Sequence, residues 1–282
     1  RGRGERAARA ALAAGTLMGL ARAGVVVMWT ITALVALTLL APLVVTLAVS
    51  VSASSVFNLP PPALSLRWYE RTLSLRDLWP AVRLSLTIAL LSTAISLVLG
   101  TLCAIALTRT SFPGKTALVT FMVSPLMMPG LVVGVALLSM LRELGLRDAW
   151  VSLLIGHVVI TLPYVTRTVL ASLALFDFTL IEAARTLGCS PPRALLSVMV
   201  PVLSPAFLTS GLFAFLASMD NYPISIFLVD ARNKTLPTLM LQYLEENPDP
   251  TIAAISSGLI LLTIVVLLVA DRLVGLRRLA DF

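Results

Sequence analysis

Apolar residues in this chain gather into long blocks separated by short polar segments. Blocks at about 24–50, 82–108, 116–141, 149–166, 202–229 and 251–270 carry almost no charge, and each reaches or approaches the ~20 residues a helix needs to cross a hydrocarbon core. They predict an all-α polytopic membrane protein with six transmembrane helices. Residues 1–23 form a basic segment ahead of the first span, and residues 24–282 make up the transmembrane domain. The third block carries Pro125, Pro129, Gly130 and Gly134. Those residues interrupt backbone hydrogen bonding and allow close helix contact, which suits either a pathway lining or ordinary packing. The fourth block is short and is expected to end at Pro163 and Tyr164. Between the first two blocks, Trp68, Thr72, Leu75 and Trp79 recur at near-helical spacing. That pattern predicts an amphipathic helix from Ser65 to Trp79 with its tryptophans at headgroup level.

Composition agrees with the pattern: 58% of the 282 residues are hydrophobic and 12% charged, more apolar surface than a water-soluble core of this size would hide. The distribution of cations gives the orientation. Residues 1–22, 109–115, 167–193 and 272–278 carry thirteen Lys and Arg, against eight at 67–83, 142–147 and 232–234. The richer set is retained on the cytoplasmic side, so both termini are expected there. Arg1, Arg3, Arg6 and Arg9 before an apolar run also suit a signal peptide. The run from Gly24 to Val49 exceeds the about 7 to 15 apolar residues of such a signal, which favours an uncleaved first helix. Residue 1 is Arg, which leaves the true start open. The net charge of +7 is spread over membrane-helix flanks, which argues against nucleic acid as a partner. Cys103 lies within a span and Cys189 in a loop, so neither suits a disulfide or a metal site.

Catalytic motifs fail on inspection. Gly114-Lys115-Thr116 resembles the tail of a phosphate-binding loop, but the pattern needs Gly at position 109, which is Arg109, and a strand where an apolar helix stands. HExxH, CxxC and GxSxG patterns do not occur. His157 inside the fourth span is expected to be a buried histidine satisfied by a neighbouring helix. The stretch from Asp177 to Pro201 is the most informative. Thr179 and Glu182 have the spacing of a capping box, Gly188 can end that short helix in the left-handed region, and Ser190-Pro191 can open a second. A helix, tight turn and helix are therefore predicted in a loop at about 174–201.

Glu182-Ala183-Ala184, three residues, Gly188, nine residues, then Val198-Met199-Val200-Pro201 resembles the EAA loop of binding-protein-dependent ABC permeases. Val stands at both aliphatic positions of an ending that is usually Ile, any residue, Leu, Pro. The resemblance extends to Trp68-Tyr69, Ser85 to Ala89, Phe112-Pro113-Gly114-Lys115 and Pro163-Tyr164-Val165. It is strongest to the spermidine/putrescine type at Phe176-Asp177, Ala217-Ser218-Met219-Asp220 and Thr235-Leu236-Pro237. The resemblance implies the type I ABC importer permease fold in a bacterial inner membrane. It also implies a non-catalytic subunit that takes up a polyamine or similar small charged organic solute. Its partners would be an ABC ATPase dimer, a second and different permease, a periplasmic or lipoprotein solute-binding protein, and membrane lipid. This chain would bind no cofactor, ATP and Mg belonging to the ATPase. The resemblance assigns ATPase coupling to Glu182, Ala183, Ala184, Gly188 and Pro201.

Asp220 is the one acid placed at membrane depth, with Asn221, Tyr222 and the helix-breaking Pro223 beside it. An unpaired carboxylate in hydrocarbon costs at least a few kcal/mol. The three polar residues are therefore candidates for a solute path, with a fixed ion pair or a cap at the break as the other reading of Asp220. An ion-coupled secondary transporter is the functional alternative, although repeated halves and embedded coupling groups are not evident.

Overall fold

The computed structural model describes residues 2–274, with side chains over 22–272; Arg1, Arg277 and Arg278, and the side chains of Arg3, Arg6 and Arg9, lie outside the described residues. The helices are α1 (Gly2–Ser50), α2 (Arg67–Ser74), α3 (Leu78–Arg109), α4 (Lys115–Val123), α5 (Gly130–Glu143), α6 (Ala149–Ala174), α7 (Thr179–Thr186), α8 (Pro191–Ala194), α9 (Val200–Val202), α10 (Ser204–Met219), α11 (Ser225–Leu228), α12 (Leu236–Glu246) and α13 (Thr251–Val274). Helices α1, α3, α6 and α13 each pass for single spans. Two sharply bent pairs, α4 with α5 at 106° and α8–α9 with α10 at 73°, bring the number to six where each pair counts as one span. The first bend falls at Pro125 and Pro129, where a tight turn over Ser124–Leu126 replaces the α ladder, as missing amide hydrogens require.

Helices α3, α6 and α10 form the centre. One face of α3 buries Ala81, Ser85, Ala89, Ser92, Ser96, Gly100 and Ala104, small residues three or four apart. Such a stripe lets helix backbones approach, which drives association where apolar burial cannot. Its hydroxyls are used: Ser96 Oγ lies 2.7 Å from Thr161 Oγ1 of α6, and Ser85 Oγ accepts from the Leu236 amide at 2.7 Å. Large apolar side chains on α1 and α13 are exposed, as a hydrocarbon solvent favours. Thr30, Thr32, Thr38 and Thr46 of α1 return their hydroxyls to the preceding turn, Thr46 donating to the Pro42 carbonyl at 2.8 Å, so these four donors are satisfied within the helix.

Two sequence expectations are corrected. Helix α6 does not stop at Pro163 but runs eleven residues further to Ala174, with Pro163 buried inside it. A proline's freed carbonyl is tolerated where neighbouring helices cover it. The surface helix covers only Arg67–Ser74. Trp68 is buried, its indole donating to the Ser52 carbonyl at 2.8 Å, whereas Trp79 belongs to the first turn of α3.

Candidate functional site

The loop between α6 and α10 is built on a glycine. Gly188 has φ +88°. Its amide donates to the Arg185 carbonyl at 3.0 Å, and the Cys189 amide donates to Ala184 at 3.1 Å. These two bonds make a Schellman closure, in which a left-handed residue satisfies the last carbonyls of α7. Ser190 then precedes Pro191, the first residue of α8, and its carbonyl accepts from the Ala194 amide at 2.9 Å. The predicted helix, turn and helix are thus present.

The capping box is not. Phe178 is already in the right-handed region, so Thr179 lies too far inside the helix to cap it. Asp177 does so instead, accepting from the Thr179 amide at 2.9 Å. That backbone bond, with the Thr179 hydroxyl second, holds the Asp177 carboxylate below its usual range. A depressed carboxylate contributes its capping above its unfolded pKa and loses it as pH falls through the lower folded value, so the cap is complete at neutral pH.

One face of the loop is anchored and the other is open. Phe176, Ile181, Ala194, Met199 and Leu203 join one cluster with Ala104 of α3, Val165, Val169 and Leu173 of α6 and Ala214 of α10. Arg109 stacks over Phe178 at 5.1 Å. The open face carries Glu182, Ala183, Gly188 and Pro201, beside Leu187 at 89% and Leu196 at 68% exposure. Ala184 is half-buried. Large apolar residues in a polar loop, held on a rigid base, are the features of a contact surface.

The second feature is a cavity of about 970 Å³ between α1, α5, α6, α10 and α13. Its wall is mostly apolar, with Asp220, Asn221, Tyr164 and Thr263 as polar groups. Asp220 ends α10 and makes no ion pair among the described residues, where the only one is Arg71 with Asp249 at 3.1 Å. The fixed-pair reading of Asp220 therefore has no partner here. Tyr222 is not brought to this cavity. It lines a separate pocket with Asp230, Lys234 and Gln242, because the turn after Met219 carries Tyr222 away from the side that Asp220 and Asn221 face. Tyr164, which the sequence places at the end of its helix, joins the cavity because α6 continues past it.

The turn itself is held closely. The Asn221 side-chain oxygen accepts from the Ile224 amide at 3.1 Å, and the Ser225 hydroxyl donates to the Asn221 carbonyl. Gly134 of α5 packs against it so tightly that a Cβ there would stand 3.0 Å from the Pro223 carbonyl oxygen and 3.1 Å from Ile224 Cα. Its neighbour Gly130 lines the cavity, so packing and lining are both realised in this helix. His157 is buried and hydrogen-bonded to serines of α10 and α11.

Residues 96–277 match the family described as binding-protein-dependent transport system inner membrane component. The spermidine/putrescine transport system permease protein PotC of Haemophilus influenzae is 31% identical over 207 residues, 73% of this chain and 80% of that protein. The putrescine transport system permease protein PotI of Escherichia coli K12 is 30% identical over 200 residues, 68% and 71% of the two chains. Among solved structures, a bacterial ABC transporter involved in import of the acidic polysaccharide alginate aligns with a TM-score of 0.65 at 19% identity, over 90% of this chain and 96% of that one. The inward-facing MetNI methionine ABC transporter aligns at 0.57 and 20%, over 72% and 98%. These two share the fold. With four to six apolar spans, an open loop on a rigid base and a family match over most of its length, this chain belongs to the binding-protein-dependent transport system inner membrane components, as a multi-pass permease subunit of an ABC importer.

Proposed function

We propose that this chain forms half of the solute path of an ATP-driven importer of polyamines or similar small organic cations in a bacterial inner membrane. A solute-binding protein delivers the solute on the outer side, and a second, different permease chain closes the path. An ATPase dimer, which carries ATP and Mg, docks on the loop bearing Glu182, Ala183, Ala184, Gly188 and Pro201. Both termini then lie in the cytoplasm, as the cation distribution favours. The observation that carries the coupling half of this reading is the loop's construction. Its inner face is packed into the ends of α3, α6 and α10, so a push on α7 is passed to the spans as near-rigid bodies.

The cationic solute is supported by Asp220, a carboxylate without an ionic partner among the described residues at a largely apolar cavity, and by relatives named for spermidine and putrescine. Radiolabelled spermidine uptake by the complete complex in proteoliposomes is expected to cease when ATP is withdrawn and to survive collapse of the ion gradient. The opposite dependence would establish a secondary transporter. A charge-assisted contact contributes about 1.5–3 kcal/mol, so Asp220→Asn is expected to raise the KM for spermidine about ten- to a hundredfold. An unchanged KM, with cations still preferred over neutral analogues, removes Asp220 from recognition.

A further inference from the structure

A buried polar spine crosses the bundle at the level of the Asp220 turn. Imidazole Nδ1 of His157 lies 2.6 Å from Ser218 Oγ and Nε2 lies 3.0 Å from Ser225 Oγ. Beyond Ser218 stands Ser92 of α3 at 3.2 Å. The His157 carbonyl accepts from Thr161 Oγ1 at 2.7 Å, and that hydroxyl meets Ser96. All six side chains are buried. Ser218 and Ser225 bracket the segment 219–224, which contains Asp220 and Asn221 at the cavity and Pro223 at the break in the helix.

The proton inventory gives the spine a direction. Ser225 has one hydroxyl hydrogen, and it goes to the Asn221 carbonyl. Ser225 Oγ can therefore only accept from the ring, so Nε2 carries the hydrogen and donates it. Nδ1 is then the acceptor, and Ser218 donates to it. A neutral ring satisfies every partner, and no aliphatic side chain could join the two serines in this way. Asn221 adds a second tie inside the bracket, its amide donating to the Ser218 carbonyl at 3.3 Å.

We propose that His157 is a positioning residue that fixes the solute-facing turn by clamping its two ends, Ser218 and Ser225, onto α6. This rests on the reading of Asp220 and Asn221 as part of the solute path. Helix α6 continues from His157 to Ala174 and, past a short link, to α7. The clamp therefore joins the turn to the same helix that enters the coupling loop, and a displacement of α6 moves the turn with it.

The test separates the clamp from the solute reading. In the complete importer complex, Cys103→Ser and Cys189→Ser remove the native thiols, and Ala217→Cys places one at the cavity beside the turn. A matching protein carries Gly258→Cys on α13, where an added Cβ meets nothing within 4 Å. Labelling by a water-soluble maleimide is followed with and without His157→Leu, and with Ser225→Ala, which removes one end of the clamp and leaves the ring. Both substitutions are expected to change the labelling rate of Ala217→Cys severalfold while Gly258→Cys stays constant. The KM for spermidine is expected to rise about tenfold, with the maximal rate less affected. Combining the two is expected to add little, since each breaks the same link. Unchanged Ala217→Cys labelling in the Ser225→Ala complex overturns the clamp. So do equal changes at both labelling sites, which mean general loosening. If the unaltered complex carries no spermidine, the solute reading falls and the labelling comparison still decides the clamp.

Discussion

Replacing Glu182 by Lys is expected to leave the chain itself intact while abolishing association with the ATPase and, with it, uptake. Glu182 is exposed and forms no ion pair among the described residues, so the change costs the fold within about 0.5 kcal/mol, part of it the loss of an acid from the first turn of α7. Against a partner the arithmetic differs. Reversing a charge that becomes buried on docking leaves both sides uncompensated, about 2–5 kcal/mol, or at least ~30-fold in affinity. Gly188 supplies the independent half of the prediction. A Cβ there meets nothing within 4 Å, so any cost is conformational, about 1–2 kcal/mol for an ordinary residue held at positive φ. Gly188→Asn is expected to be tolerated, because Asn visits that region readily. Gly188→Val is expected to uncouple, because a β-branched residue there reopens the Schellman turn and swings α8 away from α7. Co-purification of the ATPase, with thermal unfolding of the permease alongside, separates loss of docking from loss of fold. Retained association and uptake in Glu182→Lys and Gly188→Val would mean the ATPase docks elsewhere.

Much of this was legible in the sequence where the signal is local or compositional. The long apolar helices follow from solvent, because lipid demands about 20 apolar residues per crossing. Gly188 and Pro191 were readable because each has one conformational use at that place. What failed did so where packing or the exact start of a turn decides. Pro163 reads as a stop signal, but it lies buried in the middle of α6, and neighbouring helices can cover the carbonyl that a proline frees. Thr179 reads as a cap, but Phe178 extends α7 backward and leaves the role to Asp177. Asp220, Asn221 and Tyr222 read as one polar group, yet a turn distributes them to two pockets, and turn geometry is not written in hydropathy. The small-residue stripe of α3 was present as a helical period from Ala81 to Ala104. It goes unnoticed when only apolar content is weighed, since Ser and Gly contribute little to that measure. The partners of His157 lie 61 and 68 residues away along the chain, beyond any local pattern.

Enlarging Gly134 is expected to have the opposite signature, with the ATPase still bound and solute movement lost. The helix α5 face at this position meets backbone as well as side chain. A methyl group would stand 2.7 Å from Phe227 Cδ2, 3.0 Å from the Pro223 carbonyl oxygen and 3.1 Å from Ile224 Cα. The Phe227 ring can rotate away, but the two backbone atoms move only if the turn moves. Gly134→Ala therefore asks for a shift of a few tenths of an ångström, and Gly134→Leu for more than rotamer changes can supply. Overpacking of this kind costs about 1–3 kcal/mol. The strain falls on Ile224, whose amide is bound by the Asn221 side chain, so it is delivered to the one segment that presents Asp220 and Asn221 to the cavity. Spermidine uptake is expected to decline from Gly134 to Ala to Leu, while the ATPase co-purifies undiminished, because the loop cluster around Ile181 and Met199 contains none of these residues. Gly258→Ala, at an open position, is the matched control and is expected to transport normally. Normal transport by Gly134→Leu would mean that the turn accommodates a large displacement without consequence, and the close contact of α5 with Pro223 would then be packing alone.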